Sequence, residues 1–397
     1  MLCAIAGMGG AEFSLLELVG HLRGVYEFHL IVPGEGRLKE SAELAGAKVS
    51  VLAWPEALAR AGETAGVVKM LRAAIGLPSF LWRLSNLLDE IRPAALITNA
   101  AKAHVVGALM RKRPGVPLIW YMRDGLENRA GSRKLLALLA RRCDRTICIS
   151  RYVAAQFREY VSGSVRANVI YNIVDLSRFL PDALPATDLR KPSGEIWFGM
   201  VGAITPLKGQ DIFLDAAEQV LRWLPNARFV IAGNNPYVTE AGLPYEEQLR
   251  RRVENSGLRD RVKFAGFVSD VPGILSQLDV LVQPNRGPEG LGRSVLEAMA
   301  CAVPVIAVNQ WGPAELIEDG ESGLLFAPLD REGLTAHMLR LGRDEGLRKA
   351  MGKRGHEWIR GNLIASELAE KFERVLASTM AGAKSDRSAS AAREVTA

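Results

Sequence analysis

Short apolar runs alternate with amphipathic stretches along most of the chain. Residues 2–6 are apolar and stop at Gly7-Met8-Gly9-Gly10, after which Phe13, Leu15, Leu16, Leu18 and Val19 recur at near-helical spacing. A second apolar run, 28–32, ends at Pro33-Gly34. Residues 35–45 have helical character, and 48–52 read as a third strand. Strand, Gly-rich turn, helix and strand in that order predict a parallel doubly wound sheet, because parallel strands need a crossover element between them. The alternation continues through a helical stretch over 67–91 that ends at Pro93. Strands follow over 95–98, 117–121 and 145–149, then a helix opened by Ser150, a good N-cap residue, and a strand over 169–171.

The pattern then breaks at a Pro-, Asp- and Ser-rich segment and begins again. Strands over 196–201, 228–232, 262–264, 280–283 and 303–308 alternate with helices over 210–224, 245–255, 272–278 and 293–301. The fold class predicted is α/β, with two tandem doubly wound parallel-sheet (Rossmann-like) domains. They cover 1–180 and 196–360, joined by a linker over 181–195. A C-terminal helix over 361–380 is expected to pack back on the first domain, and the Ala- and Ser-rich tail 381–397 to be disordered. Ligands of such sheets sit outside the carboxyl ends of the strands. Two units facing across a cleft would hold a ligand between them.

Composition adds limits. A length of 397 residues suits two domains, and 48% hydrophobic with 24% charged residues can build soluble cores. No apolar run approaches the roughly 20 residues of a membrane span, and residues 1–10 lack the basic leader of a signal peptide. Cys3, Cys143, Cys148 and Cys301 have neither metal-ligand nor disulfide spacing and read mainly as small core residues. The expected location is the cytoplasm. The net charge of +6 gathers in clusters such as Arg111–Arg113, Arg133-Lys134 and Arg141-Arg142. Two readings stay open for them, solvated helix faces and a surface touching the inner face of an anionic membrane. The leucines of 132–140 divide the same way, between packing and membrane contact. No nucleic-acid module accompanies the charge, so nucleic acid is not an expected partner.

The candidate chemistry lies after the strand over 280–283. There Asn285-Arg286-Gly287-Pro288-Glu289-Gly290-Leu291-Gly292-Arg293 leads into a helix that carries Glu297. A Gly-rich loop opening a helix presents backbone N–H groups and the positive end of the helix dipole, which together make an anion site. Carboxylates beside it suit sugar or ribose hydroxyls. This segment, with Glu-Ala-Met-Ala and then Pro304-Val305-Ile306-Ala307, resembles the E-x7-E motif of family-4 retaining glycosyltransferases of GT-B fold. The resemblance implies that Glu289 contacts the donor sugar and Glu297 the ribose.

More of the chain is similar to that family. Val201-Gly202-Ala203-Ile204-Thr205-Pro206-Leu207-Lys208-Gly209 resembles its phosphate-binding turn, which implies that Lys208 neutralises the donor diphosphate. Gly233-Asn234 and Gly266-Phe267-Val268 resemble the strand ends that flank the nucleotide base, with strand termination as the other reading. Gly9-Gly10-Ala11-Glu12 resembles the turn near donor phosphates and acceptor. Asp144 to Ser150 and Tyr171-Asn172-Ile173-Val174-Asp175 resemble two further segments of the first domain, and Asn172 is a candidate site residue. The resemblance implies retention of anomeric configuration, no metal ligands, and no cofactor besides a UDP- or GDP-linked sugar as co-substrate. The acceptor would be a glycan or a lipid-linked sugar.

Two positions depart from the family pattern. Ala203 stands where an Arg is usual, and Arg293 is the candidate for the missing charge. Arg123-Asp124 stands near a usual His; the pair reads either as a local ion pair or as catalytic groups touching sugar or acceptor. His104 is a further candidate at a strand end. Two other functions compete. One is a non-catalytic nucleotide-sugar-binding protein on the same fold. The other is a dinucleotide-dependent oxidoreductase, against which the spacing of Gly7, Gly9 and Gly10 speaks.

Overall fold

The computed structural model describes residues 1–59, 76–110, 113–126, 130–161, 165–183, 190–234 and 245–395. Arg111, residues 184–189 of the expected linker and the start of the helix expected over 67–91 lie outside them. The chain divides into two compact units, Met1–Ile173 with Ala365–Ala397, and Val174–Ile364. The division falls at Ile173, ahead of the polar segment that composition suggested as the linker.

In the first unit β1 (Leu2–Cys3), β2 (His29–Val32), β3 (Lys48–Val51), β4 (Leu96–Asn99), β5 (Leu118–Met122), β6 (Arg145–Cys148) and β7 (Ala167–Val169) form one sheet in the order β3-β2-β1-β4-β5-β6-β7. Its pairings are parallel, in register Leu2↔Thr98 and Tyr121↔Ile147, for example. The helices between them are α1 (Gly10–Leu22), α2 (Arg37–Leu44), α3 (Glu56–Ala59), α4 (Leu77–Ile91), α5 (Ala101–Leu109), α6 (Ala130–Leu139) and α7 (Arg151–Tyr160). Ser150 caps α7 as its sequence predicts, its hydroxyl accepting from Val153 N at 3.0 Å. On α6 Leu136 and Leu139 are buried while Leu138 is exposed, so the helix spends most of its apolar face on packing. All four cysteines are unpaired and buried, and burial pushes the Cys3, Cys143 and Cys148 thiols up to about 12.

The second unit repeats the winding. β8 (Ile196–Val201), β9 (Ala227–Ala232), β10 (Val262–Gly266), β11 (Val280–Gln283), β12 (Val305–Val308) and β13 (Leu324–Phe326) lie in the order β10-β9-β8-β11-β12-β13. Its helices are α8 (Gln210–Leu221), α9 (Tyr245–Glu254), α10 (Val271–Leu275), α11 (Arg293–Ala300), α12 (Arg331–Arg343) and α13 (Glu345–Asn362). Their apolar stripes close on the sheet around Phe198, Phe213 and Phe229, each fully buried. Phe213 meets Phe229 edge-on with centroids 5.7 Å apart, and each such ring contributes about 1.5–3 kcal/mol by burial. Among the described residues no helix is long and apolar enough to cross a membrane.

The final helix, α14 (Ala365–Val395), belongs to the first unit. Leu368, Phe372 and Leu376 recur at helical spacing and are buried, with Phe372 against Tyr121 at 5.5 Å. The helix runs on to Val395, past residue 380, the end expected from the sequence. Alanine, the residue that made this tail look featureless, is also the strongest helix former, and it extends a helix already anchored by packing.

Candidate functional site

The doubly wound order reverses direction at β8/β11 in the second unit and at β1/β4 in the first. Those switch points mark where such sheets bind ligands.

In the second unit two connections are clamped together at the switch point. The turn after β8 runs through Ala203 to Lys208 and ends at Gly209, whose φ of +76° opens α8. A Cβ at Gly209 would stand 2.0 Å from Pro284 O, so only glycine lets this turn lie against the connection after β11. Arg286 N and Gly287 N then donate to Leu207 O at 2.9 and 3.2 Å. This clamp brings Lys208 Nζ onto Glu289 Oε2 in an ion pair. Asn285 Nδ2 donates to the same oxygen at 3.2 Å. Both bonds fall on Oε2, so Oε1 has no partner among the described residues.

Beyond Glu289 the loop turns into α11. Gly290, Leu291 and Gly292 are buried, and none of their N–H groups is engaged by a described residue. Gly292, at φ +91°, caps the helix without a side-chain bond. One turn on, Arg293 Nε donates to Glu297 Oε1 at 2.6 Å, with both side chains largely buried. This is a short charge-assisted bond between positions i and i+4 that holds the Glu297 carboxylate in one orientation. The sequence segment Glu289 to Glu297 therefore forms one continuous wall: carboxylate, amide groups, carboxylate.

The neighbouring strand ends complete this region. Gly202 N donates to Ala232 O at 2.9 Å, and Gly233 N to Gly266 O at 2.7 Å. Gly233 has φ +146°, and a Cβ there would lie 1.8 Å from Gly202 O. Asn234 accepts from Ile204 N through its carbonyl at 2.9 Å. Phe267 is exposed and Val268 half-buried just past β10. Under the loop lie Gln210, Gln283 and Asn285, polar yet buried. Sequence reasoning did not select them as site residues, although polar residues at the carboxyl end of an apolar strand are the signal that could have.

The first unit builds a different arrangement. Arg123, just after β5, is 4% exposed. Its Nε donates to Asn99 Oδ1 at 2.7 Å and its Nη1 to Asn172 Oδ1 at 2.8 Å, while its Cζ lies 3.8 Å from the Tyr121 ring centroid. Arg123 Nη2 and Asn99 Nδ2 are buried donors without a partner among the described residues. Asn99 leads into Ala100 at φ +107°, a region nearly closed to a residue with a Cβ; such strain costs on the order of 1–3 kcal/mol and gathers at functional sites. Glu12 in the first turn of α1 is buried and accepts from Gly9 N at 3.2 Å. Burial raises its carboxyl above the ordinary range, with the Arg123 charge opposing.

The structure thus joins Arg123 to Asn172 and adds Asn99. Gly9 and Gly10 stand at the start of α1 beside Glu12, and Asp124 is exposed. His104 is corrected: it is 1% exposed, stacks on Trp120 with ring centroids 4.9 Å apart, and meets Thr98 Oγ1 at 2.6 Å. Those are the contacts of a packed histidine inside the unit.

Comparison with known proteins agrees with this division. Residues 186–358 match the family "Glycosyl transferases group 1" and residues 8–178 match "Glycosyltransferase Family 4". The chain is 28% identical over 385 residues to a GDP-mannose-dependent alpha-(1-6)-phosphatidylinositol monomannoside mannosyltransferase of Mycobacterium tuberculosis, covering 91% of this chain and 94% of that one. It is 31% identical over 297 residues to the lipopolysaccharide core biosynthesis mannosyltransferase LpcC of Rhizobium leguminosarum bv. viciae, covering 72% and 80%. Among solved structures, Anabaena HepE in complex with UDP and glucose superposes with a TM-score of 0.79 at 22% identity, over 95% of this chain and 98% of that one. The shared fold is GT-B.

Proposed function

Because the chain belongs to the family-4, group 1 glycosyltransferases, we propose that it moves a hexosyl group from a nucleoside diphosphate sugar to a glycan or lipid-linked acceptor. Transfer proceeds with retention at the anomeric carbon and without a metal ion. The observation that carries this reading is the wall from Glu289 to Glu297 with Lys208 paired at its head.

In this reading the second unit takes the donor. The diphosphate exchanges for Glu289 at Lys208 Nζ and meets the N–H groups of Gly290 to Gly292, where unpaired donors and a helix dipole converge. Glu289 Oε1 accepts from a sugar hydroxyl, Glu297 from the ribose, and the base lies by Gly233-Asn234 and Phe267-Val268. The bond from the anomeric carbon to the β-phosphate oxygen breaks while the acceptor oxygen bonds to the same face. The acceptor proton passes to the departing phosphate oxygen. Lys208 and the helix terminus balance the charge that develops there, the task a metal performs elsewhere. Arg293 supplies the positive charge that Ala203 does not. In the first unit Arg123, with Asn99 and Asn172 holding it, and Asp124 serve the acceptor side.

Mannosyltransferases are prominent among the relatives, so GDP-mannose is the first donor to test, with UDP-glucose beside it. Thermal shift with a panel of sugar nucleotides identifies the donor, since a ligand of the native state raises the melting temperature. Proton NMR of the product then reads the anomeric configuration, with and without EDTA. A product of inverted configuration, or loss of activity on chelation, would overturn the corresponding part. Binding without transfer to any acceptor would favour a non-catalytic binder.

A further inference from the structure

At the edge of the first unit's sheet, α14 passes over β7 and leaves a cavity of about 340 Å³. Arg145, Lys371 and Arg374 line it together with Asn168, Val169 and Val375. Arg145 opens β6, so the cavity stands away from the carboxyl strand ends that hold Asn99 and Arg123.

Arg145 comes from β6 and Lys371 and Arg374 from α14, and all three line the cavity. Arg145 Nε donates to Thr379 Oγ1 at 3.2 Å. The guanidinium of Arg166, ahead of β7, adds like charge; burial and that repulsion both push Arg145 below its ordinary pKa. Among the described residues no carboxylate pairs with Arg145, Arg166 or Lys371. Arg374 reaches Glu370 only at 3.5 Å, with both side chains largely exposed, a pair worth little in water. Packing like charges around a hollow costs free energy unless an anion relieves it. Asn168 Oδ1 is buried there with no partner among the described residues, an acceptor suited to a hydroxyl. Val169, Ile170 and Val375 form an apolar wall.

We propose that this cavity binds the phosphate of a hydroxyl-bearing phosphomonoester, with Arg145, Lys371 and Arg374 on the phosphate and Asn168 on the hydroxyl. It is a second anion site, on the unit that does not carry the donor wall. The phosphate can belong to a soluble ester or to a lipid headgroup.

The test titrates sn-glycerol 3-phosphate into the full chain by calorimetry at fixed ionic strength. Parallel sedimentation uses phosphatidylcholine vesicles with and without phosphatidylinositol 4-phosphate, whose headgroup carries a phosphomonoester beside free hydroxyls. Lys371→Ala/Arg374→Ala changes exposed helix positions, and circular dichroism checks that it folds. Saturable binding of the soluble ester, weakened about tenfold in this variant and unchanged in Lys208→Ala, supports a soluble ligand. Sedimentation with phosphatidylinositol 4-phosphate vesicles that falls in the same variant supports a lipid source. No binding in either arm, equal binding by the double variant, or loss in Lys208→Ala, which would place the phosphate at the donor loop, would overturn the proposal.

Discussion

The two units share one winding order and solve the switch point by opposite means. In the second, glycines let backbone come close and amide groups point outward, and the charges sit on Lys208 and Glu289 in a partly open ion pair. In the first, a buried arginine is held by two asparagines from distant connections. A backbone site is rigid because its loops are clamped to each other. A side-chain cluster is rigid because every member holds another, so it fails together. Open charge suits a ligand whose charge rises during reaction; a buried, hydrogen-bonded charge suits positioning.

Breaking that contrast at its strongest point means removing the open cation. Lys208→Ala is expected to lower turnover by about 10²–10³-fold, the size seen when a group stabilising developing charge is lost, with the fold intact by circular dichroism. Gly209→Ala should do comparable harm without touching a charge, because its Cβ would drive the turn from Pro284 O. Initial rates of both variants, with a melting curve for each, check this.

Arg123→Ala should behave differently. It leaves Asn99 and Asn172 buried and unpartnered, at about 1–3 kcal/mol for each group so exposed, so the urea midpoint and turnover fall together. Donor affinity by calorimetry should stay near that of the wild type. A donor dissociation constant raised as far as in Lys208→Ala would erase the distinction between the units.

Two smaller effects sharpen the picture of the first unit. Ala100→Gly is expected to stabilise by about 1 kcal/mol, since glycine takes φ +107° without strain. Glu12 has a raised folded-state pKa, so the native state holds its proton more tightly than the unfolded chain. Its contribution to stability is full below the unfolded value of about 4.3 and is lost as pH rises through the folded value. Glu12→Gln should therefore flatten the dependence of the urea midpoint on pH across the weakly acidic range. A slope unchanged by this substitution would mean Glu12 titrates normally.

How far the sequence reached follows the same contrast. Both sheets were legible, because each strand is a short apolar run closed by Gly, Pro or a cap. The wall from Glu289 to Glu297 was legible as a piece of structure too: it and the turn to Lys208 are contiguous segments, and local geometry assembles each of them. The Arg123 cluster was only partly so. Arg123 and Asn172 stood out singly, but nothing in local pattern pairs either with Asn99. His104 misled for the mirror reason, since its Trp120 and Thr98 partners lie on neighbouring strands that no spacing reveals. Composition reports polarity and does not report what a segment packs against, so the packing of Leu368, Phe372 and Leu376 was not legible in it.

The central claim is that the second unit's wall holds the donor through Glu297 as well as Lys208. Calorimetric titration of the nucleoside diphosphate and of its 2′-deoxyribose analogue into wild type and Glu297→Gln tests it most directly. The account predicts that the deoxy analogue binds the wild type at least tenfold more weakly, and that Glu297→Gln binds both alike. An unchanged preference for the ribose form in Glu297→Gln would contradict it.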